Sequence, residues 1–223
     1  MIRFITGIDT NIGKTYITGL IARFLQNKDQ QVITQKLSQT GCVEVSEDIE
    51  LHRKIMGVEL TSYDKDYTTC PYIFKFPASP HLSANLENKE IKTEKISDAT
   101  QKLVDNFEHV IIEGVGGIHV PLNNEISLLD YLQEKNYPII LVSSPKLGSI
   151  NHTLLTLEIA KNRGLDVRGI VYNNCIDEEE LIAKDSINVF KKYLVKYGFN
   201  PVVIEVPKIE SENYPEIDFS DLL

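Results

Sequence analysis

Apolar residues along the chain follow two alternating patterns. Short runs rich in β-branched residues predict buried strands, and longer stretches with apolar residues three and four positions apart predict helices. The predicted strands are residues 1–6, 31–36, 109–113, 137–143, 167–172 and 201–206, with a short proline-flanked strand within 69–77. The predicted helices begin at Lys14, at Ser46 and near Ser79, and cover residues 92–107, 153–162 and about 178–197.

The regular alternation of strands and helices is the pattern of right-handed β-α-β units. It predicts an α/β fold in which residues 1–223 form a single domain with a doubly wound, mostly parallel β-sheet flanked by helices. No linker, repeat or low-complexity stretch interrupts the pattern. Because such sheets bind ligands beyond the carboxyl ends of their strands, the residues that follow each strand are the candidates for function.

The first strand is followed by Gly-Ile-Asp-Thr-Asn-Ile-Gly-Lys-Thr at residues 7–15, and then by a helix. This order predicts a phosphate-binding loop of the P-loop NTPase type, in which backbone N–H groups and the start of a helix surround an anion. Lys14 would reach the phosphates of a nucleotide, and the Thr15 hydroxyl would bind Mg²⁺. The first glycine, Gly7, lies one residue earlier than in the usual spacing. The alternative is an ordinary strand-to-helix turn.

Other polar residues also stand at predicted strand ends: Lys36, Glu113, Lys146 and Asn173. A second strand that ends in an acid often presents it to Mg²⁺ in P-loop enzymes, and a glycine-rich turn at 114–117 would follow Glu113. Each residue has a plainer interpretation, such as a solvated lysine or an exposed glutamate. Several polar groups at one edge of a sheet nevertheless indicate an active site there.

The composition limits the possible functions. The chain has 42% hydrophobic residues, 25% charged residues and a formal net charge of -9, which disfavours a nucleic-acid or anionic-membrane binder. Three widely spaced cysteines without a Cys-x-x-Cys pair indicate neither a disulfide framework nor a zinc site. Arg3 interrupts the first apolar run, which disfavours a signal peptide. No apolar run approaches the roughly 18 residues of a membrane span. We therefore expect a cytoplasmic protein.

In their order and spacing the motifs resemble dethiobiotin synthetase, an ATP-dependent enzyme family of biotin synthesis, over nearly the whole chain to about residue 207. The shifted loop at 7–15 is similar to that of the family. So are the segments 36–41, Ser46-Glu47-Asp48, Ser79-Pro80-His81, Glu-Gly-Val-Gly-Gly at 113–117 and Lys-Leu-Gly-Ser-Ile-Asn-His at 146–152. Leu37 and Thr40 depart from the family, which usually has proline and serine at these positions.

The resemblance implies a role for each matching position. Lys14 and Lys36 would be catalytic, and Thr15, Asp48 and Glu113 would bind Mg²⁺. The substrate would contact Thr10, Thr40, Gly148, Ser149 and Asn151, and Glu210 or Glu212 would contact the ribose. The implied ATP site comprises Asn11, Ile12, Gly13, Lys14, Thr15, Tyr16, Asp48, Glu113, Gly114, Val115, Gly116, Asn173, Pro207, Lys208 and Ile209.

The resemblance also implies a reaction. CO₂ would be joined to 7,8-diaminononanoate as a carbamate, ATP would activate it as a carbamic-phosphoric anhydride, and ring closure would give dethiobiotin, ADP and phosphate. Either N7 or N8 could be carboxylated first. Enzymes of this family are homodimers with the substrate at the subunit interface, so we expect the same here.

Three rival functions are open to the sequence. Cobyrinate amidases of the same superfamily usually carry a glutaminase domain with a nucleophilic cysteine, for which this chain has no room. Partitioning and division-site ATPases place an additional lysine early in the phosphate loop, where Gly7 to Thr10 contain none. A nucleotide-binding fold without activity is disfavoured because the whole set of candidate residues is intact, namely Lys14, Thr15, Lys36, Asp48 and Glu113.

Overall fold

The protein is described by a computed structural model that covers residues 1–174, 180–208 and 214–223. Six strands form one parallel sheet in the order β2-β5-β1-β6-β7-β8. The strands are β1 (Ile2–Gly7), β2 (Val32–Lys36), β5 (His109–Gly117), β6 (Ile139–Ser143), β7 (Val167–Asn173) and β8 (Val203–Val206). A second, two-stranded parallel sheet consists of β3 (Gln39–Thr40) and β4 (Ile73–Phe74).

Helices connect successive strands, as the alternating pattern predicts. They are α1 (Lys14–Gln26), α2 (Glu47–Met56), α3 (Ser62–Lys65), α4 (Pro80–Leu86), α5 (Thr93–Val104), α6 (Leu128–Lys135), α7 (Ser149–Asn162) and α8 (Glu180–Tyr197). The doubly wound α/β fold predicted from the sequence is therefore confirmed. Across the described ranges, every helix is too short or too polar to cross a bilayer.

The strand β5 differs from its prediction. A turn was expected after Glu113, but the strand continues through the glycines and pairs Gly117 with Gly7 after a shift in register. At Gly114 a Cβ atom would lie 2.8 Å from the Phe4 ring, so only glycine lets β1 and β5 stay this close. The extension carries the glycine run alongside the phosphate-binding loop.

Two further differences concern the loops and the end of the chain. Helix α7 begins at Ser149 rather than at Thr153, because Gly148 adopts φ 92° and ends the preceding turn. The end of the chain, expected only to be polar and acidic, returns to the core, where Phe219 and Leu222 are fully buried. The short strand predicted within 69–77 is β4, whereas its partner β3 and the helices α3 and α6 were not predicted.

Two serines at helix starts behave differently. Ser127 forms a capping box with Asp130 at the start of α6, in which each side chain bonds the other residue's backbone N–H. Ser79 occupies the predicted capping position of α4, but its hydroxyl makes no capping hydrogen bond.

We expect Ser127→Ala to lower the free energy of unfolding by about 1 kcal/mol, as loss of a helix cap usually does.

The matched control is Ser79→Ala, which removes no capping bond and should change stability much less. Urea unfolding monitored by circular dichroism measures both variants. Equal losses in the two would show that the Ser127 capping box contributes nothing of its own.

Candidate active site

The loop between β1 and α1 is fixed by a contact with β7. Gly13 has φ 86° at the start of α1, a conformation that favours glycine. The Asn173 side chain donates a hydrogen bond from Nδ2 to the Ile12 carbonyl at 2.8 Å. A Cβ atom at position 13 would lie 2.1 Å from that nitrogen, so glycine is required here on two grounds.

Lys14 is the first residue of α1 and lies within the loop. Its side chain is buried, and its ammonium donates to the Asp9 carbonyl at 2.7 Å. Burial, followed by the positive charge of Lys36, lowers the pKa of Lys14 from 10.5 to about 8. The lysine therefore lies where an arriving anion would stabilise its charged form.

A compact group of charges lies beside the loop, at the end of β2 and in the middle of β5. The Lys36 ammonium contacts the Asp48 carboxylate at 2.6 Å and the Glu113 carboxylate at 2.8 Å. The Thr15 hydroxyl lies 3.0 Å from an oxygen of each of the same two carboxylates. Asp48 comes from the first turn of α2, so four separate elements supply this group.

Because this group is buried, its ion pairs strongly affect the pKa values of their members. Glu113 is 1% exposed. Burial alone raises the pKa of Glu113, but Lys36 and His52 outweigh it and lower the pKa to about 2. Burial alone likewise lowers the pKa of Lys36, and the Glu113 and Asp48 carboxylates outweigh it and raise that pKa. Both groups are therefore held in their charged forms.

A cavity of about 560 Å³ opens above these residues. Most of the predicted site residues line it, namely Thr10, Asn11, Gly13, Lys14, Thr15, Tyr16, Lys36, Thr40, Asp48, Glu113, Val115, Gly116, Asn173 and Lys208. The structure therefore gathers the candidates from the phosphate loop, β2, α2, β5 and β7 into one site.

The remaining candidates lie elsewhere or outside the described residues. Ile12 is buried beneath the loop, Gly114 contributes its carbonyl to Lys36 at 3.2 Å, and Pro207 is exposed. The segment Gly148, Ser149 and Asn151 is not part of the cavity wall, and neither is Lys146, which is exposed. Ile209, Glu210 and Glu212 fall outside the described residues.

The sequence analysis missed four residues of this region. Ser38, Gln39 and Leu51 line the cavity, and the imidazole of His52 bonds Glu113 at 2.8 Å. Leu51 and His52 follow Asp48 by three and four positions on α2, so helical spacing places them on the side of Asp48. That spacing was the available signal.

A phosphate-binding loop lies at the start of a helix here, beside a lysine from β2 and two carboxylates from β5 and α2. Together these features define a nucleotide-dependent enzyme of the P-loop NTPase class. Solved structures agree with the fold. The ParA family ATPase from Chlorobium tepidum aligns with a TM-score of 0.55 at 16% identity, over 94% of this chain and 85% of that one. MinD from Aquifex aeolicus aligns with a TM-score of 0.55 at 12% identity, over 94% and 83%.

Sequence relatives define the family more narrowly. The ATP-dependent dethiobiotin synthetase BioD of Chlorobaculum tepidum is 50% identical over 201 residues, 89% of this chain and 84% of that protein. BioD 2 of Pasteurella multocida, which bears the same enzyme name, is 47% identical over 197 residues, 88% and 92% of the two chains. Residues 3–215 also match the family described as an AAA domain. The chain belongs to the ATP-dependent dethiobiotin synthetase family, whose members are ligases.

The position of Lys14 makes nucleotide binding depend on pH. Free Lys14, with a pKa of about 8, is largely neutral at higher pH, whereas a bound polyphosphate raises its pKa. ATP binding should therefore take up a proton above pH 8, and affinity should fall as pH rises through this range. Calorimetry in buffers of different ionisation enthalpy measures the uptake.

The control is Lys14→Arg, because a guanidinium stays charged throughout this range. The variant should lose most of the proton uptake at pH 8.5 while retaining a positive charge in the loop. Uptake that is the same in both proteins would assign the proton to another group.

Proposed function

We propose that this protein converts 7,8-diaminononanoate, CO₂ and ATP into dethiobiotin, ADP and phosphate. The observation that carries the proposal is Lys36, held between Asp48 and Glu113 at 2.6 and 2.8 Å on the wall of the cavity that also contains the phosphate loop. A cation at this place can stabilise negative charge on both the transferring phosphoryl group and a carbamate. The family relatives support the same activity.

The proposed reaction has three bond-forming steps. One amine of the substrate attacks CO₂ and loses a proton, giving a carbamate. A carbamate oxygen then attacks the γ-phosphorus of ATP, and ADP leaves. The second amine attacks the carbonyl of the resulting anhydride, closes the ureido ring and releases phosphate. Phosphorylation is needed because a carbamate is a poor electrophile until its oxygen becomes a leaving group.

The buried lysines have distinct parts in this proposal. Lys14 lies within the phosphate loop and neutralises the polyphosphate. Lys36 contacts Asp48 and Glu113, and it stabilises charge on the carbamate and the transferred phosphoryl oxygens. Neither lysine is freely hydrated, so its electrostatic effect is less screened than at the surface.

Thr15, Asp48 and Glu113 fit a Mg²⁺ ion. Their donors are a hydroxyl and two carboxylates, and such oxygen ligands are those that Mg²⁺ prefers. The described residues form no cluster of three or more His, Cys, Asp or Glu side chains that could enclose a metal. Mg²⁺ keeps waters and takes phosphate oxygens alongside one or two carboxylates, so the two carboxylates and the hydroxyl are a fitting donor set. When bound, Mg²⁺ would neutralise charge developing on the β- and γ-phosphates.

The reaction is tested directly by measuring phosphate release with diaminononanoate, bicarbonate and MgATP. We expect release to depend on the diamine and dethiobiotin to appear in equal amount, as shown by mass spectrometry. Phosphate released without the diamine, but stimulated by DNA or lipid vesicles, would instead support a switch ATPase.

Lys36→Ala should reduce turnover by about 10²–10³-fold, which is the usual loss when one group that stabilises transition-state charge is removed. The fold should survive, because Thr15 and His52 still donate to the Glu113 carboxylate. The steady-state kcat, together with a circular dichroism spectrum, measures both effects. Lys135→Ala, which removes a lysine paired with Glu134 on α6, is the control and should keep its turnover. A normal kcat for Lys36→Ala would remove Lys36 from the mechanism.

We also propose that the active form is a homodimer. In this dimer, the N-terminus of α7 of one subunit binds the carboxylate of the substrate that lies in the site of the other subunit. The segment Gly148, Ser149 and Asn151 starts this helix but is not part of the cavity wall, which fits a role across an interface. The neighbouring Leu147 is fully exposed. Sedimentation velocity at assay concentration should show a dimer; a fully active monomer would contradict this.

A further inference from the structure

A chain of buried hydrogen bonds runs from α2 to Glu113. The His52 ring lies between Thr34 and Glu113, with Nδ1 3.0 Å from the Thr34 hydroxyl and Nε2 2.8 Å from Glu113 Oε2. His52 and Thr34 are 0% exposed. The arrangement lies behind the cavity wall, so His52 acts on the site only through Glu113.

Arg53 also forms a hydrogen bond with the Thr34 hydroxyl. Its guanidinium is held by Asp64 at 2.9 and 2.8 Å, and it donates to the Thr34 hydroxyl oxygen at 2.9 Å. Arginine can only donate, so it occupies an acceptor position of that oxygen. The single hydroxyl hydrogen of Thr34 is then available for His52 Nδ1.

The Glu113 carboxylate can only accept hydrogen bonds, so the ring nitrogen of His52 that faces it, Nε2, carries a proton, and Nδ1 can accept from the Thr34 hydroxyl. Nε2 therefore donates to Glu113 Oε2, while Lys36 and Thr15 contact the other oxygen, Oε1. The last torsion of a glutamate is soft, so a carboxylate held on one side only could rotate. With Oε2 engaged in the interior, Oε1 is directed towards the cavity.

We propose that His52 is a positioning residue for the reaction, which fixes the Glu113 carboxylate so that Oε1 faces the metal and phosphate site. Thr34 and Arg53 set the tautomer of His52 and so belong to the same relay. The inference rests on the proposed function, in which Glu113 is a Mg²⁺ ligand. Hydrogen bonds behind a ligating carboxylate typically change metal affinity or activity by about 10–100-fold when removed.

The primary test is His52→Leu, which removes both ring nitrogens and keeps an apolar side chain. The Mg²⁺ concentration that half-saturates the enzyme should rise by about 10–100-fold, in diamine-dependent phosphate release and in Mg²⁺-dependent binding of a fluorescent ADP analogue. Binding of the analogue without metal should not change. His52→Gln, whose amide can donate to Glu113, should recover most of the Mg²⁺ affinity.

A control for packing is Ile55→Val, a buried residue on the same helix that makes no polar contact with the site. It should lower stability without moving the Mg²⁺ half-saturation. If Ile55→Val and His52→Leu shift the Mg²⁺ requirement equally, His52 is only a packing residue and the proposal fails.

The relay is tested by Thr34→Val against Thr34→Ser. Valine removes the hydroxyl that fixes the His52 tautomer, so it should raise the Mg²⁺ requirement, whereas serine should not. The double variant Thr34→Val/His52→Leu should be no worse than His52→Leu, because both act through one bond to Glu113. Additive effects would overturn the relay. If His52→Leu does not fold, the valine and serine pair decides the question.

The outcomes also separate this inference from the proposed reaction. The proposed reaction would be overturned if the wild-type protein released no phosphate in response to the diamine. The positioning role would still stand if His52→Leu raised the Mg²⁺ concentration needed for binding of the ADP analogue. Conversely, diamine-dependent turnover together with an unchanged Mg²⁺ requirement in His52→Leu would support the reaction and overturn the positioning role.

Discussion

The arrangement of the site depends on one constraint, the charge of Glu113 in an almost fully buried position. An ionised carboxylate removed from water is costly unless cations and hydrogen-bond donors surround it. Lys36, Thr15 and His52 provide them, from β2, α1 and α2 respectively. The need to satisfy this one group therefore fixes how two helices and two strands meet at the edge of the sheet.

The sequence predicted which side chains converge wherever their placement follows from the topology of the sheet. Lys36 and Asn173 end parallel strands and Glu113 pairs with Lys36 within β5, so their convergence with Lys14 follows from the order of the strands. It failed where contacts across the chain decide the outcome. The extension of β5 depends on the close approach of Phe4 to Gly114, and the role of His52 depends on Glu113, 61 positions away. Neither partner is visible in the local pattern.

The fold by itself says little about which reaction is catalysed. ParA and MinD share the architecture at 16% and 12% identity, which shows the fold and nothing finer. What separates this chain is the content of the strand ends and loops. Its phosphate loop has no early lysine, and Lys36 from β2 and Lys208 line the cavity beside that loop.

The bond from Asn173 to the Ile12 carbonyl has a consequence for the order in which the site can form. Asn173 lies 161 positions further along the chain than Ile12 and ends β7. The loop after β1 can therefore make this contact only once β7 has joined the sheet, so the loop and the sheet reach their final arrangement together.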